Sequence, residues 1–139
     1  MKDICQALYE YLRSDEAIAK RVQDRIYPVL LPQDCKLPAI VYSPVYADYD
    51  SALQGDTGFV RQTVQIVCHE ETFKKTRELS RMVKKAIQDY HGDMNGLYIE
   101  AVFIKTDYEL SGNTSLKFDT EEFMSSIEFE FHFNENKED

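Results

Sequence analysis

Between Phe59 and Tyr90 the hydrophobic period changes from two to about 3.6 with no linker between the halves, which confines the chain to folds that lay a helix against a sheet. From Phe59 to His69, Val60, Val64, Ile66 and Cys68 point one way, with Gln62 interrupting the series. Arg61, Thr63, Gln65 and His69 point the other way. From Glu70 to Tyr90 the apolar residues fall on a helical stripe of Phe73, Leu79, Val83, Ala86, Ile87 and Tyr90. Gly92 stands where a left-handed helix-ending residue is expected. Alternation returns near the C-terminus, with Phe123, Ile127, Phe129, Phe131 and Phe133 inward and Glu122, Glu128, Glu130 and His132 outward. The length and aromatic content of that strand place it well inside a sheet.

The flanking segments complete the pattern. Ile4, Leu8, Tyr11 and Leu12 predict a first helix, and Ser14 with Asp15 caps a short second one holding Ala17, Ile18 and Val22. Arg25 to Leu30 is strand-like but interrupted by Pro28, and Pro32 to Pro38 reads as a loop. Ala39-Ile40-Val41-Tyr42 is a short strand, apolar on both faces. Pro44 to Gly58, with Tyr46, Tyr49, Gly55 and Asp56, reads as a loop or hairpin tip. Asn95-Gly96 turns the chain into a strand from Leu97 to about Tyr108, and Glu109 to Asp119 is a polar loop. The order α-α-β-β-β-α-β-β implies a single two-layer α+β domain over residues 1–133. Its sheet is expected to be antiparallel or mixed, of about five strands, with helices packed on one face and the other face polar. Residues 134–139 read as a disordered acidic tail.

Composition excludes several functions. With 16 basic against 25 acidic residues the net charge is −9, which disfavours specific nucleic-acid binding. The basic residues Lys74, Lys75, Arg77, Arg81, Lys84 and Lys85 fall largely on the solvent side of the long helix. No apolar run is long enough to span a membrane, and the opening Met1–Cys5 lacks a signal-peptide core. Cys5, Cys35 and Cys68 have no ligand spacing and read as reduced thiols. His69-Glu70-Glu71 is not a zinc motif, because Phe73 stands where the second histidine belongs; the two carboxylates instead suit a helix start. Glu128, Glu130 and His132, at period two, could in principle hold a divalent cation, but a solvated face explains them as well. Asp48, Asp50 and Asp56 lack the spacing of a calcium loop, and no phosphate loop or nucleophile elbow is present. We therefore expect no catalytic residue, no cofactor and no metal.

One segment is distinctive: Arg25-Ile26-Tyr27-Pro28, then Pro32-Gln33, then Leu37-Pro38-Ala39-Ile40-Val41-Tyr42, preceded by a helix with Ala7-Leu8-Tyr9. With the strand Val64-Gln65-Ile66-Val67, the long helix and the aromatic last strand, it resembles the tail-completion (tail-terminator, head–tail joining) proteins of tailed bacteriophages and prophages. The resemblance implies a non-enzymatic protein of the virion tail or neck, made in the cytoplasm of the bacterial host. It further implies a ring of copies, commonly hexameric, whose partners are the tail tube protein and the head connector. Arg25, Ile26, Tyr27, Pro28, Pro32, Gln33, Pro38 and Tyr42 carry the family signature. Tyr46, Tyr49, Asp50 and Phe59 are candidate contacts for such a protein interface. The bland reading is that Tyr46 and Tyr49 cover the domain's own core. A different function remains open, that of a small adaptor binding one protein through the Tyr-rich loop.

Overall fold

Period-two stretches need neighbours to satisfy their backbone groups, and here they find them in one mixed sheet. The computed structural model describes residues 3–52, 55–111 and 123–135. Three helices, α1 (Ile4–Ser14), α2 (Glu16–Val22) and α3 (Phe73–Ile87), accompany six strands. The strands are β1 (Ile26–Pro28), β2 (Ala39–Ala52), β3 (Gly55–Glu70), β4 (Gly92–Met94), β5 (Leu97–Ser111) and β6 (Phe123–Asn134). Their order across the sheet is β1-β2-β3-β6-β5-β4, with β1 parallel to β2 and every other pair antiparallel. The expected class and element order hold, with one strand more than anticipated.

Each helix begins at a side chain that caps it. The Asp3 and Asp15 carboxylates accept from the N–H groups of Cys5 and Ile18, both at 3.1 Å, and the Thr72 hydroxyl accepts from Lys75 at 3.2 Å. The last cap corrects the expectation that Glu70 and Glu71 serve the start of α3. Glu70 is instead the final residue of β3 and is buried. The stripe also starts later, for Phe73 is exposed and Thr76 takes the inward position, its hydroxyl donating to Thr72 O at 2.8 Å. At the other end the left-handed residue is Asp89, at φ 62°, and Gly92 belongs to β4. The Tyr90 ring has turned back onto Tyr11, 5.1 Å between centroids, which carries the chain off the helix axis.

One hydrophobic cluster fills the space between helices and sheet. Inward residues of β3 and β6 stand opposite one another, Val64 with Phe129 and Ile66 with Ile127, beneath Leu79, Val83 and Ile87 of α3. Leu8, Leu12, Ile18 and Val22 of the short helices close the same core. Gln62 breaks the apolar series for a reason: its amide donates to Tyr46 O at 3.0 Å, beside the irregularity between Pro44 and Tyr46. Four such irregularities lie on the two flanking strands, at Pro44/Tyr46 and Tyr49/Ser51 on β2 and at Ile99/Ala101 and Ile104/Thr106 on β5. Bulges sharpen local twist, so paired bulges on either flank bend the sheet around its helices.

Elsewhere the structure departs from, extends or meets the expected elements. Of the two readings of Pro44 to Gly58, the hairpin holds and the loop does not: β2 runs on to Ala52 and β3 returns from Gly55. Alternating Tyr and Asp mimic a polar loop because, among the described residues, β3 is the one neighbour of β2 past Tyr42, and Tyr46 and Tyr49 are exposed on opposite faces. Gly92–Met94 pairs with Leu97–Ile99 across the predicted Asn95-Gly96 turn, whose φ values of 48° and 106° suit a tight two-residue hairpin. Asn134 pairs with Phe59 and Glu135 N–H donates to Gly58 O at 2.7 Å, so the sheet extends past residue 133. β5 runs past Tyr108 to Ser111, pairing Glu109 to Ser111 with β6, so the first three residues of the expected polar loop Glu109 to Asp119 are strand. The rest of that loop, the outward Glu122 and residues 136–139 of the tail lie outside the described residues.

Candidate interaction surface

The signature segment folds into a parallel joint between β1 and β2. Ile26, Tyr27 and Pro28 pair with Ile40, Val41 and Tyr42. The Arg25 guanidinium donates through Nε to Pro38 O at 2.8 Å, and Ile40 N–H donates to Arg25 O at 2.9 Å. Val29 N–H donates to Tyr42 O at 2.8 Å, and Cys35 Sγ lies 3.6 Å from the Tyr27 hydroxyl. Pro28 interrupts the run yet is tolerated, since β1 is an edge strand. Tyr42 is buried with its ring 6.1 Å from that of Tyr9. Pro32 and Gln33 are exposed on the connecting loop. These residues build the scaffold of the sheet margin.

The four candidate contact residues are not one cluster. Tyr46 stands opposite Thr63 and Tyr49 opposite Val60, so the two rings lie on opposite faces of β2. They are 64% and 58% exposed, which removes the reading that they seal the core. The Thr57 hydroxyl donates to Asp50 O at 3.2 Å, holding the hairpin end. Phe59 is half-buried on the face away from the helices, with the Arg61 guanidinium 5.0 Å from its ring centre.

That face holds a group the sequence reading did not assemble. His132 stands edge-on to Phe59 at 5.6 Å and to Phe103 at 5.0 Å, with Nε2 2.7 Å from Glu130 Oε1. Lys105 Nζ lies 3.4 Å from the other Glu130 oxygen, and Arg61 pairs with Asp48 at 3.3 Å. The hydrogen bond from His132, then Lys105, holds the Glu130 carboxyl below its ordinary value. Both Glu130 oxygens are thereby engaged by cationic or donor groups, which disfavours the cation site considered for Glu128, Glu130 and His132. Among the described residues no group of three or more His, Cys, Asp or Glu stands where it could hold a metal ion. The clue to Phe103 was the run Ala101-Val102-Phe103-Ile104, apolar on both faces of its strand.

Charge on α3 is also organised. Arg77 donates to Glu109 at 2.8 Å and Lys84 to Asp107 at 2.7 Å, tying the helix to β5. His69 and Glu70 are buried, and Glu70 Oε2 meets Arg21 Nε of α2 at 3.4 Å. The three cysteines are free, with Cys68 buried and Cys5 and Cys35 half-buried. No helix among the described residues is long and apolar enough to cross a membrane.

This scaffold can be compared with known proteins. Residues 6–114 match the model of the tail completion protein gp17 family, from α1 through β5 and including the whole parallel joint. The chain belongs to that family. No curated protein matches it in sequence. In fold, this tail completion protein is similar to a chain from the virion of a native gene transfer agent particle. The TM-score is 0.69 with 13% identity, over 94% of each chain.

Proposed function

We propose that this chain is a structural, non-catalytic virion protein that caps the finished tail tube as a ring of copies, commonly six, and offers a docking face to the head connector. The observation that carries this reading is the family match over residues 6–114, which includes the Arg25–Tyr42 joint. The surface supports it: Tyr46 and Tyr49 are large side chains left in solvent on a strand whose outer margin beyond Tyr42 no described strand covers, where contact with another chain would bury them. Tyr46, Tyr49, Asp50 and Phe59 then serve contacts with neighbouring copies, the tail tube protein or the connector. The acidic balance of the chain suits a ring that lets DNA pass without gripping it. Assembly takes place in the host cytoplasm and the product resides in the tail or neck of the virion.

Deletion of the gene from its phage tests this. Electron micrographs should show tails and filled heads that fail to join, and complementation with the gene should restore them. Joined, infectious particles without the protein would overturn the proposal.

A further inference from the structure

The two margins of the sheet are stepped, and the steps match. Rows of partners run straight across it, one through Tyr42, Ile66, Ile127 and Asp107, another through Tyr49, Val60, Phe133 and Ile99. On the β2 margin, β1 ends at the Tyr42 row. On the β5 margin, β4 begins at the Ile99 row. Among the described residues, no strand flanks the outer side of β2 beyond Tyr42 or of β5 beyond Ile99. Each margin is therefore covered at one end only, and the ends are opposite.

Strand directions match as well. β6 runs parallel to β2, because both are antiparallel to β3; β4, antiparallel to β5, therefore runs the same way as β1. Set two copies side by side and β1 of one copy falls beside the open stretch of β5 of the next. The neighbour's β4 falls beside the open stretch of β2. The two short strands would occupy one lane, end to end and pointing the same way. An open edge leaves N–H and C=O groups for such pairing, and it leaves one flank of each side chain bare. The exposed large apolar side chains fit this. Among the described residues all but Phe73 lie on these margins, including Leu30, Val45, Tyr46 and Tyr49 on one and Phe103 and Tyr108 on the other.

We infer that copies of this chain join by that lap of sheet margins, β1 against the neighbour's β5 and β4 against its β2. The inference rests on the ring reading and names its interface. The occupant is a second copy because both halves of the step belong to the same chain. A two-fold contact of β2 with β2 would leave Phe103 and Tyr108 bare, whereas the head-to-tail lap covers both margins and leaves each copy able to accept another.

Cysteine cross-linking of the full chain tests it, in a Cys35→Ser background with a bis-maleimide, both alone at high concentration and on isolated tail tubes. Val29, next after β1, and Thr106 on β5 sit near one row, so Val29→Cys with Thr106→Cys should give a ladder running past dimer. Tyr49→Cys with Asp93→Cys, at the other step, should do the same and guards against misfolding at Val29. Each single variant should show only the background of the native cysteines. Dimers from a single variant mean a two-fold contact and overturn the inference. Oligomers seen by light scattering with no ladder from either pair, or a ladder only from a helix-layer pair such as Lys20→Cys with Lys74→Cys, overturn it while leaving a ring intact. Monomers alone and on tubes would end the ring reading and the lap with it.

Discussion

Arg21→Met should be among the most damaging single changes outside the apolar core. The Glu70 side chain is 2% exposed and ends β3 beneath α2 and α3. Among the described residues its Oε1 accepts only a long bond, from Glu71 N–H at 3.4 Å. Among them its Oε2 has no hydrogen bond and depends on Arg21 Nε, also 3.4 Å away. Removing the guanidinium strands a buried charge, a loss of about 3–5 kcal/mol where no water can reach it. Arg21 is itself 23% exposed, so its departure lets some water in and brings the loss just below that range, to about 2–3 kcal/mol. For a domain of this size that lowers Tm by roughly 6–9 °C. Glu70→Gln removes the attraction without stranding a charge and should lose about 1 kcal/mol or less. Arg21 also pairs with Glu78 at 2.8 Å, but Glu78 is 46% exposed, so Glu78→Gln should change stability by well under ~1 kcal/mol. The double variant Arg21→Met/Glu70→Gln should recover part of the Arg21→Met loss. Urea unfolding followed by far-ultraviolet circular dichroism measures all four. A loss within ~0.5 kcal/mol for Arg21→Met, or a larger loss for Glu70→Gln, would show that the buried carboxylate does not depend on Arg21.

Other outcomes follow from single observations. Gly96→Ala should lose about 1–2 kcal/mol in the same assay, because φ of 106° excludes a side chain, while Asn95→Gly should be close to neutral. In alkylation followed by mass spectrometry, Cys5 should lag a free thiol about a hundredfold at pH 8. Burial, with Asp3 adding, pushes its thiol from 9.0 up to about 11. Cys68, raised further by burial, should react only on unfolding. Glu130 titrates below its ordinary 4.5 when folded, so its contribution is present above that value and disappears as pH falls through the lower, folded one. Glu130→Gln should therefore flatten the acid side of the stability profile below about pH 4.5, and an unchanged profile would discount the His132 and Lys105 contacts.

Elements whose periodicity is set by a single buried face were legible from the chain alone. β3, β6 and the middle of α3 fall where their alternation or stripe puts them, since each has one apolar side pressed on the core. The misses share a cause, namely dependence on distant partners. β4 is three residues long and exists because β5 returns beside it. The far half of β2 reads as loop because β3, its one neighbour among the described residues, lies across a hairpin and the exposed Tyr and Asp alternate. Glu70 is buried because Arg21, far away in sequence, meets it. The contact candidates were legible as residues but not as a surface. Tyr46 and Tyr49 took opposite faces, and Phe103 and His132 met Phe59 only once the sheet order brought β5, β6 and β3 together.

The place of β6 has a consequence for how the protein is made. Of the described strands it is the last in sequence, yet it occupies the middle of the sheet, between β3 and β5. A nascent chain can form the β2–β3 hairpin and α3 while still on the ribosome, but β3 and β5 share no neighbour until Phe123–Asn134 clears the exit tunnel. Until then the core lacks Ile127, Phe129 and Phe131, and both inner edges are open to foreign strands. Closure thus waits for β6 rather than proceeding strand by strand. Stalled or truncated products should be handed to chaperones or proteases instead of entering a particle.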